Sequence, residues 1–261
     1  MATSYPKFDG FSLQDDNYVM SEINYRTIPT RRLETDKILR RPGVKLMSSE
    51  FGQRIINMSG YIVADSISEL REKIDNFHTN VTRKENGLLF VESDRSSNAI
   101  VDSVTIADPH YTQTYVPMEV QFLLADPFFY GLQQVVEWTV TSGVISNAYT
   151  ITVSGSVFAE PAITYYAPDG SGYTTVSGIM IDYLATAERI TWSGGTGTDT
   201  LMYGGNVTFD YTEHLLTENT TVVHPIGVYS RWEPGITNFN ITFSGGVEGG
   251  TLQFAYQPRY L

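Results

Sequence analysis

The stretch EVQFLLADPFFYG, residues 119–131, marks a change in the character of the chain. Before and within it, Val116, Met118, Val120, Phe122 and Leu124 alternate with other residues, as side chains on one buried face of a β-strand do. Asp-Pro, three aromatic residues and a glycine then end the alternation. Proline removes a ladder donor, and the residue before it is held in extended or turn geometry. The stretch therefore predicts a last strand followed by a fixed exit of the chain.

The residues after this strand predict a domain junction: Asp126, Pro127, Phe128, Phe129, Tyr130 and Gly131. We expect the rings to pin the leaving chain against the first domain and Gly131 to let it turn. A plain hydrophobic plug at a domain boundary would use the same residues, so the pattern leaves both interpretations open.

The composition changes at the same place. Of 17 Lys/Arg and 29 Asp/Glu residues, only three and 11 lie after residue 130, where the chain becomes rich in Gly, Thr, Ser and Tyr. A shift over a whole half-chain is a domain-boundary signal. We therefore predict two domains, residues 1–131 and 132–261.

The first domain is predicted to be α+β, a sandwich or barrel-like sheet covered by one helix. Ser66 and Glu69 have the spacing of a capping box. Apolar residues then recur at spacings of three and four positions, as on one face of an amphipathic helix: Ile67, Leu70, Ile74, Phe77 and Val81. Strand-like segments surround this helix, and the order β-α-β-β-β favours α+β over a parallel sheet.

Three sites carry more local expectations. Gly60 indicates a bulge or bend within its strand, and Asn86-Gly87 is typical of a hairpin turn. Pro117 predicts that its strand lies at a sheet edge or is locally broken.

The second domain is predicted to be an all-β sandwich. Its short runs of β-branched and aromatic residues are separated by glycine-rich segments. The segment SGGVEGG, residues 244–250, is expected to be the loop of a hairpin between the last two long strands.

The segment RRLETDKILRRPG, residues 31–43, is unusually basic for this chain; its basic residues are Arg31, Arg32, Lys37, Arg40 and Arg41. Runs of charge are usually solvated loops. The alternative is an arm that docks on an acidic neighbouring subunit, because guanidinium groups pair well with carboxylates.

The sequence predicts no catalytic, metal or cofactor site, and we expect the protein not to be an enzyme. Its four histidines lack the spacing of metal ligands, and no nucleophile elbow or phosphate-binding loop is present. Aromatic residues of the second half could stack on a sugar or pack in the core: Tyr165, Tyr166, Tyr173 and Trp192. Packing is the commoner role for such residues.

Charge and hydropathy exclude further classes. The net charge of −12 argues against general nucleic-acid binding. No apolar run approaches the ~18 residues of a membrane helix, and the N-terminus lacks the features of a secretory signal, so we expect no membrane insertion. The absence of cysteine suits assembly in a reducing cytosol.

Two segments resemble distal tail proteins of long-tailed, non-contractile bacteriophages. EVQFLLADPFFYG resembles the strand, Asp-Pro and Phe/Tyr run that close the N-terminal domain of that family, and MSGYIVADSISELREKIDNFHTNV resembles its strand and Ser-capped helix. The closing segment SRWEPGITNFNITFSGGVEGGTLQFAYQPRYL resembles the family's final hairpin and terminal strand, although its Asn comes later than the usual spacing places it. The basic stretch lies where the family has an extended loop that embraces the next subunit.

The resemblance implies a structural virion protein without cofactors, assembled in the bacterial cytoplasm. Such proteins form a hexameric ring that joins the tail tube to the tail-tip hub or tail-associated protein. The ring-forming domain is tail-tube-like and the outer domain is often galectin-like. Receptor-binding proteins or host glycans are further expected partners, and DNA is expected only as passing cargo.

Two other functions fit the same patterns. The chain could be a major tail-tube subunit with a decorating β domain, because tube proteins have an N-terminal fold related to that of distal tail proteins. It could also be a carbohydrate-binding module.

Overall fold

The computed structural model describes residues 5–37, 44–108, 114–170, 174–194, 200–201 and 203–261. The chain divides into two compact units. The first ends at Tyr130 and also includes Leu261, and the second runs from Gly131 to Tyr260. This division lies one residue from the boundary expected from composition. Both units consist mainly of β-strands.

The first unit is built around a twisted antiparallel sheet and one helix. Its strands and helix are β1 (Lys7–Phe8), β2 (Phe11–Ser12), β3 (Tyr18–Ile23), β4 (Arg31–Lys37), β5 (Val44–Phe51), β6 (Arg54–Val63), α1 (Ile67–Phe77), β7 (Asn86–Glu92), β8 (Arg95–Ile106), β9 (Tyr115–Leu124) and β10 (Phe129–Tyr130). The sheet order is β2-β1-β7-β8-β9-β6-β3, and β10 pairs with β8 through Tyr130 and Ser96. Strands β4 and β5 form a separate two-stranded sheet.

The predicted helix is confirmed. The Ser66 hydroxyl accepts a hydrogen bond from the Glu69 amide at 3.2 Å, and the Glu69 carboxylate accepts one from the amide of Asp65. Leu70 and Phe77 are buried, as the apolar stripe requires. The helix continues into a π-helical turn, His78–Thr82, in which Val81 is also buried. This run closes one side of the core, where Phe77 contacts the rings of Phe11 and Tyr18.

The expectation of a turn at Asn86-Gly87 is wrong. Both residues belong to β7 and pair with β8, and the chain enters β7 from the π-helical turn. Gly87 is required for space, because a Cβ there would lie 2.8 Å from the Phe8 ring. The bulge expected within the strand of Gly60 lies instead on the facing strand, where the β3 register shifts between Met20 and Glu22, while β6 pairs with β9 without a shift.

The expectation that Pro117 marks a sheet edge or a local break is met only at Pro117 itself, because the pairing of β9 with β8 ends one residue later in β9, at Met118. Strand β9 lies between β8 and β6. The Pro117 carbonyl accepts a hydrogen bond from the Ala107 amide, just past the end of β8 at Ile106. The amide and carbonyl of one strand residue point to the same side. The Pro117 nitrogen, which has no hydrogen to donate, therefore faces the end of β8, where the ladder needs no donor from it.

The second unit contains two sheets that enclose one core. Its strands are β11 (Gln134–Val140), β12 (Ser146–Val153), β13 (Ala162–Tyr166), β14 (Gly178–Tyr183), β15 (Glu188–Ser193), β16 (Asn206–Asp210), β17 (Leu215–Glu218), β18 (Thr221–Val223), β19 (Ile226–Gly227), β20 (Gly235–Ser244), β21 (Gly250–Tyr256) and β22 (Arg259–Tyr260). One sheet has the order β11-β21-β13-β16-β17-β18 and the other β12-β20-β14-β15-β19. Side chains from both sheets, including Trp192 and Phe254, form a continuous buried cluster with Trp232, which precedes β20.

The segment 244–250 is not a hairpin loop. Strands β20 and β21 belong to different sheets, so the segment carries the chain across the core from one sheet to the other. Gly245, Gly246, Gly249 and Gly250 all have positive φ, which side chains disfavour, and Val247 between them is buried. The glycines therefore let the backbone turn from one sheet into the other.

The observed architecture is mostly β, with several sheets and a short helix. No helix in the described ranges is long and apolar enough to cross a membrane.

Candidate assembly surfaces

The basic stretch is a strand where residues 31–37 are described, and the solvated-loop interpretation is wrong for that part. β4 pairs with β5 over its whole length, and all seven β4 residues are exposed. Arg40 and Arg41 lie outside the described residues. We call this two-stranded sheet the arm. Among the described residues, it has no ladder to the main sheet.

The two faces of the arm differ chemically. Directly opposed residues share a face, so Arg31, Leu33, Thr35 and Lys37 lie on the same side as Leu46, Ser49 and Phe51. Arg32, Glu34 and Asp36 lie on the other side with Ser48 and Glu50, where the Ser48 hydroxyl donates to Glu34. We call the first side the cationic–apolar face and the second the mixed-charge face.

The cationic–apolar face leaves large aliphatic side chains in solvent. Leu33 is 57% exposed and Leu46 is 55% exposed. The Arg31 guanidinium lies 5.0 Å from the centroid of the Phe51 ring, at the end of the hairpin nearest the body of the unit. A two-stranded sheet with both faces in water is only marginally stable.

The junction segment is held by its own carboxylate. Asp126 accepts one hydrogen bond from the Phe128 amide at 3.2 Å and another from the Tyr130 hydroxyl. Phe128 and Phe129 are both buried. Both rings are therefore packed within the first unit, and their pinning of the chain as it leaves that unit stays a prediction.

The two junction rings contact residues on either side of the arm. Phe128 meets Phe51, the last residue of β5, edge to face with centroids 5.7 Å apart. Phe129 meets Tyr25, which precedes β4, with centroids 6.2 Å apart at 83°. We call these four rings the aromatic clamp.

A buried arginine lies beneath the clamp. The Arg54 guanidinium lies 4.9 Å from the Phe129 centroid, and the residue is 2% exposed. None of its three nitrogen atoms has a hydrogen-bond partner among the described residues. Burial lowers the pKa of this guanidinium below its ordinary value. The sequence pattern does not mark Arg54, because alternation shows its inward position only once the register of β6 is known.

Gly131 has a different role from the one expected. Its φ is not positive, so the chain needs no left-handed turn there. A Cβ would approach the Tyr260 ring to 3.1 Å and Pro258 to 3.3 Å, and the Gly131 amide donates to the Pro258 carbonyl at 2.8 Å. The glycine therefore allows close approach within the second unit.

A shallow groove crosses the outer face of the main sheet. It has a volume of about 430 Å³, and Glu22, Asn57, Ser103, Glu119 and Gln121 are among its lining residues. Two carboxylates face this groove, and no lysine or arginine belongs to its described lining. The groove is thus polar and weakly acidic.

The possible sugar-stacking rings are mostly unavailable. Trp192 is in the core, and Tyr165 is fully buried with its hydroxyl donating to the Gly249 carbonyl at 2.6 Å. Burial raises the pKa of Tyr165 to about 12, with a smaller contribution from Glu248. Tyr165 and Trp192 are therefore not available to stack on a sugar, and the prediction is wrong for these two residues. Tyr166 is partly exposed, and Tyr173 lies outside the described residues.

The C-terminal basic residue, Arg259, is buried within a cluster of partly exposed residues. Arg259 donates to the Glu160 carboxylate at 2.6 Å and lies 5.5 Å from the Phe158 ring. Arg231 covers the same ring at 4.5 Å. Across the residues that the structure describes, no group of three or more histidine, aspartate or glutamate side chains could hold a metal ion.

Comparison with known proteins gives these surfaces a context. Residues 8–124, which cover most of the first unit, match the family model of the phage tail protein RIFT-related domain. The first unit therefore carries a phage tail protein domain. A sequence comparison with curated proteins found no match.

The chain also matches solved structures. The crystal structure of the Dit (gp 19.1) protein of phage SPP1 aligns with a TM-score of 0.68 at 14% identity, covering 98% of each chain. That protein is described as a paradigm of the hub adsorption apparatus in phages that infect Gram-positive bacteria. At this identity the match establishes a shared fold. The predicted resemblance to distal tail proteins is confirmed.

Two baseplate structures match more weakly. The activated phage P2 baseplate with Ca has a TM-score of 0.41 and covers 98% of this chain and 91% of the other. The phage p2 baseplate with Sr has a TM-score of 0.43 and covers 94% and 92%. Both are 8% identical to this chain, and neither match is strong enough to support a conclusion about it.

The matched family and the shared fold are those of structural tail components. This agrees with the prediction that the protein is not an enzyme.

Proposed function

We propose that this tail protein is a distal tail hub, which forms a ring at the end of the tail tube and joins it to the tail-tip hub. The observation that carries the proposal is the shared fold with the SPP1 Dit protein over 98% of both chains. The resemblance implies a hexamer whose first domain is tail-tube-like and whose outer domain is galectin-like.

The arm is the element that we propose to join neighbouring subunits. Residues 31–51 carry six basic and three acidic side chains, a net charge of +3, whereas the rest of the chain carries −15. The arm of one copy is therefore attracted to the body of another. Attraction of this kind favours encounter and correct orientation more than final affinity.

The chemistry of the arm supports docking through its cationic–apolar face. Its three carboxylates, Glu34, Asp36 and Glu50, all lie on the opposite face. Burial of Leu33 and Leu46 against a neighbour would contribute about 1.5–3 kcal/mol for each fully buried side chain. Arg31 and Lys37 lie on the same face and would pair with carboxylates at the rim of the interface.

The outer sheet face of the first unit suits a surface past which DNA moves. Glu22 and Glu119 repel phosphates, and the described lining of the groove offers no basic side chain to hold them. We propose that this face is exposed to the passing genome and does not bind it. Assembly would take place in the host cytoplasm.

The second unit is proposed to face outward and to carry receptor-binding components. The burial of Tyr165 and Trp192 favours a protein partner over a sugar for this unit. A glycan array with the full-length protein would test this point. Binding to host cell-wall sugars would restore the carbohydrate-binding function.

The ring itself is tested by the oligomeric state of the purified protein. Light scattering coupled to size exclusion, followed by negative-stain microscopy, should find a closed ring of about six copies at high protein concentration. A strictly monomeric protein, together with the absence of any ring in intact tails, would contradict the proposal.

A further inference from the structure

We infer that Phe128 and Phe129 are positioning residues for the arm, so that the junction segment sets the direction in which the arm points. The inference rests on the proposed role of the arm in assembly. It extends that role to residues that the sequence connects only with the exit of the chain from the first unit.

The arm meets the first unit at two roots. One is residues 24–30, before β4, and the other is Phe51 with Gly52, after β5. The Gly52 amide donates to the Thr30 carbonyl at 2.7 Å, which ties the two roots together. Each root also presents one ring to the clamp, Tyr25 to Phe129 and Phe51 to Phe128.

The arm has little else to orient it. Within the part of the chain that the structure describes, its strands pair only with each other, and the β4 side chains are exposed along the whole strand. A rigid hairpin attached at two roots turns as a lever, so a small change at the roots becomes a large displacement along the hairpin. The packing of the root rings therefore decides where Leu33 and Leu46 are presented.

The clamp is itself fixed from several sides. Asp126 holds the Phe128 amide and the Tyr130 hydroxyl, and the Tyr25 hydroxyl donates to Glu92 at 2.6 Å. Arg54 supports the Phe129 ring from beneath at 4.9 Å. The roots are thus packed on a pre-organised surface, which reduces the ordering that docking would otherwise require.

The simpler interpretation is a hydrophobic plug, in which the rings stabilise the unit and have no effect on the arm. The two interpretations differ in a measurable way. A plug predicts that replacing a junction ring lowers stability as replacing any other buried ring does. A positioning role predicts an additional effect on the direction of the arm.

The distance between the arm and the body can be measured by pulsed electron paramagnetic resonance. The chain has no cysteine, so the exposed residues Glu34 and Glu72 can be changed to cysteine and spin-labelled in the full-length protein. The combined variant Phe128→Leu/Phe129→Leu keeps apolar side chains and removes the rings. We expect its distance distribution to broaden at least twofold, while Phe128→Tyr, which retains a ring, keeps the narrow distribution.

Phe77→Leu is the matched control, because Phe77 is also a buried ring of the same unit and contacts Phe11 and Tyr18 instead of the arm. It should lower the melting temperature without broadening the distribution. An unchanged distribution in a folded Phe128→Leu/Phe129→Leu protein would overturn the inference. A broadened distribution together with normal ring assembly would support the clamp and contradict only the proposed docking of the arm.

Discussion

The guanidinium of Arg54 lies 4.9 Å from the centre of the Phe129 ring and has no hydrogen-bonding partner among the described residues. A cation over an aromatic face is attracted to it, but that attraction is worth only about 0.5–2 kcal/mol. Withdrawal of an arginine from water costs several kcal/mol when no counter-ion compensates it. Arg54 is therefore a cost to the folded chain, located directly beneath the residues that hold the arm.

Arg54→Met should increase the stability of the isolated protein, because methionine fills similar space without a charge. We expect the free energy of unfolding to rise by about 1–3 kcal/mol. Urea unfolding followed by fluorescence would measure it. Arg259→Met is the opposite control, since it leaves the half-buried Glu160 carboxylate without its partner and should destabilise the protein. A large loss of stability in Arg54→Met would show that the charge has an unrecognised partner.

The arm should have one docking face. The variant Leu33→Ser/Leu46→Ser should need at least a tenfold higher protein concentration to form rings. It lacks the exposed aliphatic side chains of the cationic–apolar face. Sedimentation velocity over a concentration series would measure it. Glu34→Ser combined with Glu50→Ser changes the opposite face and should leave assembly intact. Equal effects of the two variants would mean that docking does not distinguish the faces.

The neighbouring arginines offer a finer test of the same idea. Arg31 and Arg32 lie on opposite faces of β4, so Arg31→Ser should weaken assembly more than Arg32→Ser does. The difference between the two variants in assembly should become smaller as the salt concentration rises, because salt screens exposed charges. A salt-independent difference would indicate that Arg31 acts through its packing on Phe51 and not through its charge.

Gly60 should not tolerate a side chain. A Cβ at this position would overlap the carbonyl oxygen of Val19 on the paired strand, so Gly60→Ala must push β3 away from β6. We expect a loss of about 2–3 kcal/mol or more in unfolding free energy. Gly10→Ala is the control, because Gly10 has positive φ but open space around it, and strain alone should cost about 1 kcal/mol. Scanning calorimetry that finds equal losses would contradict the packing argument.

The second unit should lose stability in strong alkali. Burial raises the pKa of Tyr165 and of Tyr229 to about 12, and that of Tyr211 further, from an ordinary value of 10. Between pH 10 and pH 12 the unfolded chain therefore releases these protons while the folded chain keeps them, so stability falls as pH rises. Below pH 10 these groups should have no effect.

The effect of Tyr165 alone should approach ~2–3 kcal/mol near pH 12. Thermal unfolding at a series of pH values would detect it, with tyrosinate absorbance to follow ionisation. Tyr165→Phe should flatten part of this dependence. A melting temperature that stays constant from pH 10 to pH 12 would contradict the burial argument.

Local signals in the sequence predict the elements that depend on local chemistry. The capped helix at Ser66 and the alternation of β9 follow from hydrogen bonding and side-chain period, which a short segment determines by itself. The Asp-Pro and aromatic run predicts a pinned segment for the same reason. The resemblance to distal tail proteins depends on these same segments.

The errors concern the partners of a segment. Asn86-Gly87 has the sequence of a turn, yet Gly87 is needed beneath Phe8, which lies far away in the chain. The glycines of 244–250 would serve a hairpin or a change of sheet equally well. Trp192 and Tyr165 occur in alternating strands, and alternation does not tell which face is enclosed by a second sheet. Arg54 and the two faces of the arm likewise require strand register.

The most direct test of the central claim is the position of the protein in the intact virion. Antibody-gold labelling or an averaged cryo-electron microscopy map of the tail would locate it. A distal hub predicts one ring at the end of the tail tube away from the capsid. Copies repeated along the whole tube would identify a tube subunit, and absence from the tail would contradict the structural role altogether.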